Sequence, residues 1–269
     1  MNRNSAAVAD KHDLYQQSVQ EPDAQVEIIT GLFQARAGRP LVDLREDFGG
    51  TAFFSCEFVA GHPARRAWAV DLDPEPLAWG REHNVAPLPS DAASRVTLVQ
   101  ADVTQVGPPE VPPVDAVVAL NYSFFLLRTR DQLRAYFRRA LDGLRPGGGL
   151  VLELAGGPEM QELGPEGTQH EGFIYVWDRV SFDPIHSTAR CAIHFAFEDG
   201  TSMKDAFVYE WRVWTIAEVR EVLAEVGFAA SVVYWEGPGE DGQGDRLFTP
   251  CEQAPAEEAW IAYVVGWRA

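Results

Sequence analysis

The apolar residues of the chain recur with two spacings, one typical of helices and one typical of buried strands. Helical spacing is clearest at 22–36, where Val26, Ile29, Leu32 and Phe33 would share one face. Short apolar runs alternate with such segments through the first half of the chain. These runs predict strands at 41–44, 66–70, 95–99, 114–120 and 150–154. Strands that alternate with helices indicate a parallel sheet with right-handed crossovers.

The pattern changes after the fifth strand. Three runs of alternating character, at 173–180, 190–197 and 206–213, follow one another without a helix between them and predict an antiparallel insertion. A helix capped by Thr215 and the strands 231–235 and 260–266 complete the chain. We therefore predict an α/β, Rossmann-like fold. Its seven-stranded, mostly parallel sheet is flanked by helices, with an antiparallel β insertion after the fifth strand.

Charge and cysteine content narrow the classes of partner. The chain has 22 Lys and Arg against 40 Asp and Glu, a net charge of −18, so we expect no nucleic acid partner. No apolar run is long enough to cross a bilayer, and the polar N-terminus has no signal core, so we expect a cytoplasmic protein without membrane contact. Three widely spaced cysteines predict neither disulfides nor a zinc site.

Polar and acidic residues follow the first four predicted strands. They are the segment 46–51, Asp71, Asp102 and the segment 121–123. Because ligands of open parallel sheets bind at the carboxyl ends of the strands, these side chains are expected to share one site. Carboxylates would accept hydrogen bonds from ribose hydroxyls and amines, whereas they would repel a pyrophosphate. A nicotinamide dehydrogenase is therefore disfavoured.

The first of these segments resembles the acidic-x-Gly-x-Gly-x-Gly loop of the class I S-adenosylmethionine methyltransferases. Two frames fit. In the preferred one, Glu46 is the acid, Gly50 is the central glycine, and Phe48 and Ala52 stand at the outer glycines. In the other, Asp43 is the acid and the residues at 45, 47 and 49 occupy the glycine positions. Since glycines are missing in both frames, side chains such as those at 45–47 would also grip the amino acid end of the cofactor.

Three further motifs carry the resemblance, which extends from about residue 22 to the C-terminus. Segment 69–74 resembles the motif whose acid, here Asp71, binds ribose. Segment 100–103 resembles the motif whose Asp, here Asp102, accepts from the adenine amine, and segment 144–148 resembles the turn before the fifth strand. The resemblance implies S-adenosyl-L-methionine as cofactor. It would be bound by Tyr15, Arg45, Glu46, Asp47, Phe48, Gly49, Gly50, Asp71, Leu72, Asp102, Val103 and Asn121.

A narrower resemblance concerns the C-terminal third. An insertion followed by a helix ending in Gly227-Phe228 is similar to small-molecule methyltransferases, including those that act on sugar amines. We expect a single methyltransferase domain over 1–269. It would comprise an N-terminal cap segment and helix (1–37), a cofactor-binding half (38–157), the insertion on the acceptor side (170–214), and a C-terminal helix with the last two strands (215–269).

Methyl transfer is an in-line displacement at a sulfonium carbon, so the protein mainly aligns the acceptor and excludes water. Tyr122, just after the fourth strand, and His170, before the insertion, are the candidate catalytic residues. Aromatic faces could hold a cationic acceptor. The candidates for that role are Tyr175, Trp177, Trp211 and Trp214. Their alternative role is packing of the sheet.

The leading hypothesis is methyl transfer to a nitrogen or oxygen of a small-molecule acceptor. A protein side chain as acceptor and a non-catalytic adenosyl-binding protein are the alternatives. The residues identify neither the acceptor nor a general base, and they leave open whether the protein forms a homodimer.

Overall fold

The computed structural model describes residues 5–239 and 244–269, which form two β-sheets and their flanking helices. The helices are α1 (Lys11–Val19), α2 (Pro22–Ala37), α3 (Phe53–Ala60), α4 (Pro74–Gly80), α5 (Ser90–Ala93), α6 (Arg130–Gly143) and α7 (Ile216–Val226). The strands of the first sheet are β1 (Asp43–Asp47), β2 (Arg66–Asp71), β3 (Val96–Gln100), β4 (Val114–Ala119), β5 (Leu144–Gly156), β10 (Ala230–Pro238), β11 (Gly244–Cys251) and β12 (Trp260–Trp267). The strands of the second are β6 (Gly164–His170), β7 (Phe173–Asp183), β8 (Thr188–Phe197) and β9 (Ser202–Arg212).

The first sheet has the order β11-β10-β12-β5-β4-β1-β2-β3, in which β1 to β5 run parallel. Strand β12 lies antiparallel to β5, and β10 and β11 continue the antiparallel side. Helices α6 and α7 pack on one face of the sheet, and α2 and α3 pack on the other. Two apolar cores thus enclose the central strands, which explains why β4 is buried along its whole length and apolar apart from Asp115. The predicted Rossmann-like fold is confirmed.

The strand count differs from the prediction. The sheet has eight strands rather than seven, because β11 pairs with β10 as a hairpin. Its residues are mostly exposed, and its sequence lacks the alternation that marks a half-buried strand. Residues 240–243, between β10 and β11 in the sequence, lie outside the described residues.

The second sheet is the predicted antiparallel insertion after β5, with order β6-β7-β8-β9. Strand β6 precedes the predicted start at residue 170 because it is an exposed edge strand without an apolar face. The described helices are all too short or too polar to span a membrane. In the same ranges, no three His, Cys, Asp or Glu side chains converge as a metal site would require.

Candidate active site

The loop after β1 turns sharply through three residues with left-handed backbone. Phe48, Gly50 and Ala52 have φ angles of 58°, 51° and 57°. These are the three positions at which the preferred frame of the motif expects glycine, the residue that adopts this conformation most readily. In the other frame, the acid Asp43 is ion-paired with Arg66 at the opposite end of β1. The backbone therefore supports the frame in which Glu46 is the acid.

Glu46 itself faces the protein interior. Its Oε2 accepts hydrogen bonds from the backbone N–H and the hydroxyl of Ser55, at 3.1 and 2.5 Å, and so ties β1 to the first turn of α3. Burial, together with the nearby carboxylates of Asp71 and Asp47, raises the pKa of Glu46 to about 8. Glu46 therefore stabilises the loop from the protein interior.

Arg45 and Asp47 are also buried and pair with each other, with Arg45 Nη2 and Asp47 Oδ2 2.7 Å apart. The guanidinium of Arg45 lies 3.1 Å from the place where a Cβ on Gly143 of α6 would stand. The structure does not support the prediction that these two side chains grip the cofactor, because both are enclosed in the core.

Asp71 connects the end of β2 to the loop. Its Oδ2 accepts from the backbone N–H of Gly50 at 2.8 Å, and its Oδ1 accepts from that of Asp73 at 2.9 Å. Burial raises the pKa of this carboxyl. Leu72, the next residue, is 68% exposed, so the strand end opens directly to solvent.

At the neighbouring strand end, Asp102 accepts from the N–H and hydroxyl of Thr104 at 2.8 and 2.7 Å. Val103 is buried in the core beneath it. Because β2 and β3 are parallel and adjacent, Asp71 and Asp102 lie on the same edge of the sheet. Each retains free lone pairs on its carboxylate oxygens and could accept a ligand hydrogen bond.

Helix α1 covers this edge and joins it to the insertion. Gln16 Nε2 donates to Thr51 Oγ1 in the loop at 2.8 Å. On its other side, Leu14 packs in an apolar cluster with Phe173 and Phe195 of the second sheet. Tyr15, predicted to bind the cofactor, lines the cavity between the two sheets.

That cavity has a volume of about 610 Å³. It is bounded by α1, the start of α2, the ends of β4 and β5, the insertion and the β10–β11 hairpin. Six of the predicted site residues line it: Tyr15, Asn121, Tyr122, Tyr175, Trp177 and Trp211. A side compartment of about 370 Å³ shares Tyr122, Trp177 and Trp211 and adds Trp260.

Tyr122 stands at the centre of these walls. Asn121 and Tyr122 both have left-handed backbone, with φ angles of 51° and 56°, and the ring of Tyr122 meets that of Trp211 edge-on at 6.2 Å. Burial raises the pKa of Tyr122 well above its usual value. Its phenol is therefore neutral at physiological pH and can hold a ligand, but it cannot serve as a strong base.

Sequence reasoning missed Glu153, a buried carboxylate on β5 that lines the cavity. Its Oε2 accepts from the N–H of Asn121 at 2.6 Å, which holds the strained turn in place, and its Oε1 accepts from the hydroxyl of Tyr263 at 3.2 Å. Burial raises its pKa, whereas these hydrogen bonds lower it. The available signal was a single glutamate inside an otherwise apolar strand.

Two of the residues predicted to act on the acceptor lie outside the cavity. His170 ends β6 and stacks on Phe173 with ring centroids 5.0 Å apart, so it does not reach an acceptor between the sheets. Trp214 is buried in the core, where its Nε1 donates to the carbonyl of Leu127 at 3.0 Å. Both predictions are corrected: His170 packs within the insertion, and Trp214 anchors the segment after β9.

Comparison with known proteins places this geometry in a known context. The family described as "Methyltransferase domain" matches residues 48–148, which run from the loop after β1 to the turn in β5. This part of the chain is therefore similar to a methyltransferase domain. A comparison with curated proteins found no match.

Solved structures share the fold of this chain over nearly its whole length. DesVI from Streptomyces venezuelae is 20% identical, with 97% of this chain and 99% of that chain covered and a TM-score of 0.69. The CcbJ methyltransferase from Streptomyces caelestis is 17% identical, with 99% and 98% covered and a TM-score of 0.71. CalS10, an amino pentose methyltransferase from Micromonospora echinaspora, is 20% identical, with 96% of each chain covered and a TM-score of 0.67.

These comparisons bear out the predicted enzyme class and the predicted fold. S-adenosylmethionine, the cofactor predicted from the sequence, is bound in the solved structure of CalS10.

Proposed function

We propose that the protein transfers the methyl group of S-adenosylmethionine to a nitrogen or oxygen of a small-molecule acceptor. The observation that carries this proposal is the cavity of about 610 Å³ between the ends of β4 and β5 and the insertion sheet. It adjoins the strand ends of the methyltransferase domain, and its size is that of a small-molecule site.

The residues present fit the cofactor. The left-handed turn at 48–52 brings backbone close to a ligand, and Asp71 and Asp102 offer acceptors for ribose hydroxyls and the adenine amine. S-adenosylmethionine, when bound, would supply an electrophilic methyl group and keep the electron pair of the broken bond on its sulfur. The acceptor nitrogen or oxygen would form the new bond to that carbon and lose a proton to a base or to solvent. Tyr122 would hold the acceptor in line, and Tyr15 would help to exclude water.

Calorimetry with S-adenosylmethionine, S-adenosylhomocysteine and NAD tests which cofactor binds. The reaction is tested with a panel of amines and phenols by measuring the homocysteine compound that the cofactor leaves after methyl transfer. Binding of the two adenosyl compounds with turnover of at least one small acceptor would support the proposal. Binding of NAD alone would refute it. Turnover of a protein substrate but of no small molecule would show that the acceptor is a protein side chain.

Asp71→Ala should weaken S-adenosylmethionine binding by more than tenfold. The reason is that the ribose hydroxyls lose a charged acceptor and the N–H of Gly50 loses its partner. Glu110→Ala, at an exposed position before β4, is the control and should leave the dissociation constant unchanged. Equal affinities for the Asp71 variant and the parent protein, measured by calorimetry, would remove Asp71 from the site.

Tyr122→Phe should lower kcat/KM for the acceptor about tenfold while leaving cofactor affinity unchanged. The variant loses only the hydroxyl and keeps the ring that packs on Trp211. Because the pKa of Tyr122 lies well above its usual value, the pH profile of kcat/KM should keep its shape below pH 9. Loss of a titration limb in the variant would instead make Tyr122 the base.

A further inference from the structure

The cavity walls carry an excess of negative charge over the positive charge available to them. Arg246 is the basic residue of the main cavity, and its guanidinium is paired with Glu21 at 2.9 Å. Arg179 in the side compartment is paired with Glu166 at 3.1 Å. Both arginines of the described walls are thus neutralised, and the sequence of residues 240–243, between β10 and β11, contains no basic residue.

Two carboxylates in the walls remain without a basic partner among the described residues. Glu236 accepts from the backbone N–H of Arg246 at 2.9 Å, which is a neutral donor. Glu153 is 7% exposed, and its donors, Asn121, Tyr263 and Gln25, are all uncharged. A buried carboxylate is costly unless it takes up a proton or a positive charge compensates it, and burial accordingly raises the pKa of Glu153. The ammonium group of a ligand would supply that charge and favour the carboxylate form.

The remaining surface is aromatic. The ring centroids of Trp177 and Trp211 lie 5.5 Å apart, and those of Tyr209 and Trp211 lie 4.9 Å apart. In the side compartment Trp260 lies against the backbone of Gly156, where a Cβ would stand 2.1 Å from the indole. Faces of this kind favour apolar or aromatic groups, and they attract cations through the ring quadrupole.

We propose that the acceptor is an amine that binds as its ammonium ion, with an apolar or aromatic body and without phosphate or carboxylate groups. Glu153 receives the ammonium group and takes one proton from it, which leaves the nitrogen a lone pair to attack the methyl carbon. This inference rests on the proposed methyltransferase function and narrows its acceptor. The body lies in the compartment formed by Trp177, Trp211 and Trp260. Phosphorylated acceptors are excluded by repulsion from Glu153 and Glu236, because the two arginines that would bind phosphate are already paired.

The test is binding to the full-length protein saturated with S-adenosylhomocysteine, measured by calorimetry. Four probes separate the features: tyramine (amine and ring), tyrosol (the same ring with a hydroxyl instead of the amine), O-phosphotyramine, and glucosamine (amine without an apolar body). Tyramine should bind at least tenfold more tightly than each of the other three. Equal or tighter binding of tyrosol, O-phosphotyramine or glucosamine, or no binding of tyramine, would overturn the inference.

Glu153→Gln keeps the shape of the side chain and an acceptor for Asn121, but it removes the charge. It should weaken tyramine binding at least tenfold, leave tyrosol binding unchanged, and leave S-adenosylhomocysteine and S-adenosylmethionine affinities unchanged. Glu198→Gln, in an exposed turn, is the matched control. If the variant instead loses affinity for S-adenosylmethionine but not for tyramine, Glu153 is the counter-charge of the sulfonium and the inference is wrong. If the parent protein binds no adenosyl compound at all, the proposed function itself fails.

Discussion

Gly80→Ala is expected to destabilise the protein by about 1–3 kcal/mol and to weaken S-adenosylmethionine binding at least tenfold. A Cβ at Gly80 of α4 would stand 2.1 Å from the carbonyl oxygen of Thr51, a backbone atom of the loop after β1. That oxygen also accepts from Asn84 Nδ2 at 2.8 Å, and Gln16 of α1 bonds the hydroxyl of Thr51. The methyl group must therefore displace the loop and break its ties to two neighbouring elements.

Gly31→Ala is the matched control, because Gly31 lies within α2 with nothing within 4 Å of its hypothetical Cβ. It should be neutral or stabilise the protein by up to about 1 kcal/mol through helix propensity. Urea unfolding gives the stabilities, and calorimetry gives the cofactor affinities. A Gly80 variant as stable as the Gly31 variant, with parental cofactor affinity, would show that the loop can move away from a Cβ at position 80 without cost.

Glu46→Gln is expected to make the protein increasingly more stable than its parent as the pH rises from about 4.5 to 8. The buried Glu46 has a pKa of about 8 in the folded protein, above its ordinary value of 4.5. The folded state therefore holds a proton that the unfolded chain has released, and the stability of the parent falls as pH rises through this window. The amide does not titrate, and its oxygen can still accept from Ser55.

The difference in unfolding free energy between variant and parent should grow by up to about 1.4 kcal/mol per pH unit within that window and level off above pH 8. Urea unfolding at pH 5, 6.5 and 8 measures it, with Glu27→Gln on the exposed face of α2 as control. A difference that does not change with pH would mean that Glu46 is ionised in the folded protein at neutral pH.

The alternation of apolar runs was enough to predict the parallel half of the fold, because strands covered on both faces are nearly continuous apolar runs. It failed where strands are exposed. Strands β6 and β11 bury little side-chain surface, so backbone pairing with β7 and β10 defines them and no apolar pattern marks them.

The site was predictable to the extent that topology alone determines it. Asp71, Asp102 and Tyr122 follow strand ends, and parallel strands bring those ends to one edge. Topology does not determine the direction of a side chain, since neighbours in sequence point to opposite faces of a strand. For this reason the assignment of Arg45 to the cofactor is wrong, because its side chain lies in the core. Glu153 was missed because the residues that surround it, other than those of β5, lie more than 30 positions away in the sequence.

The division of the cavity walls between separate parts of the chain has an evolutionary consequence. The proposed cofactor contacts come from the loops after β1, β2 and β3, whereas the aromatic walls come largely from the insertion and the antiparallel side of the first sheet. Substitutions in the second group can change which molecule is accepted while the machinery for the methyl donor stays intact. Proteins with this architecture can therefore acquire new acceptors through substitutions in the insertion. Laboratory libraries confined to β7, β9 and the β10–β11 hairpin would vary the same acceptor-binding residues.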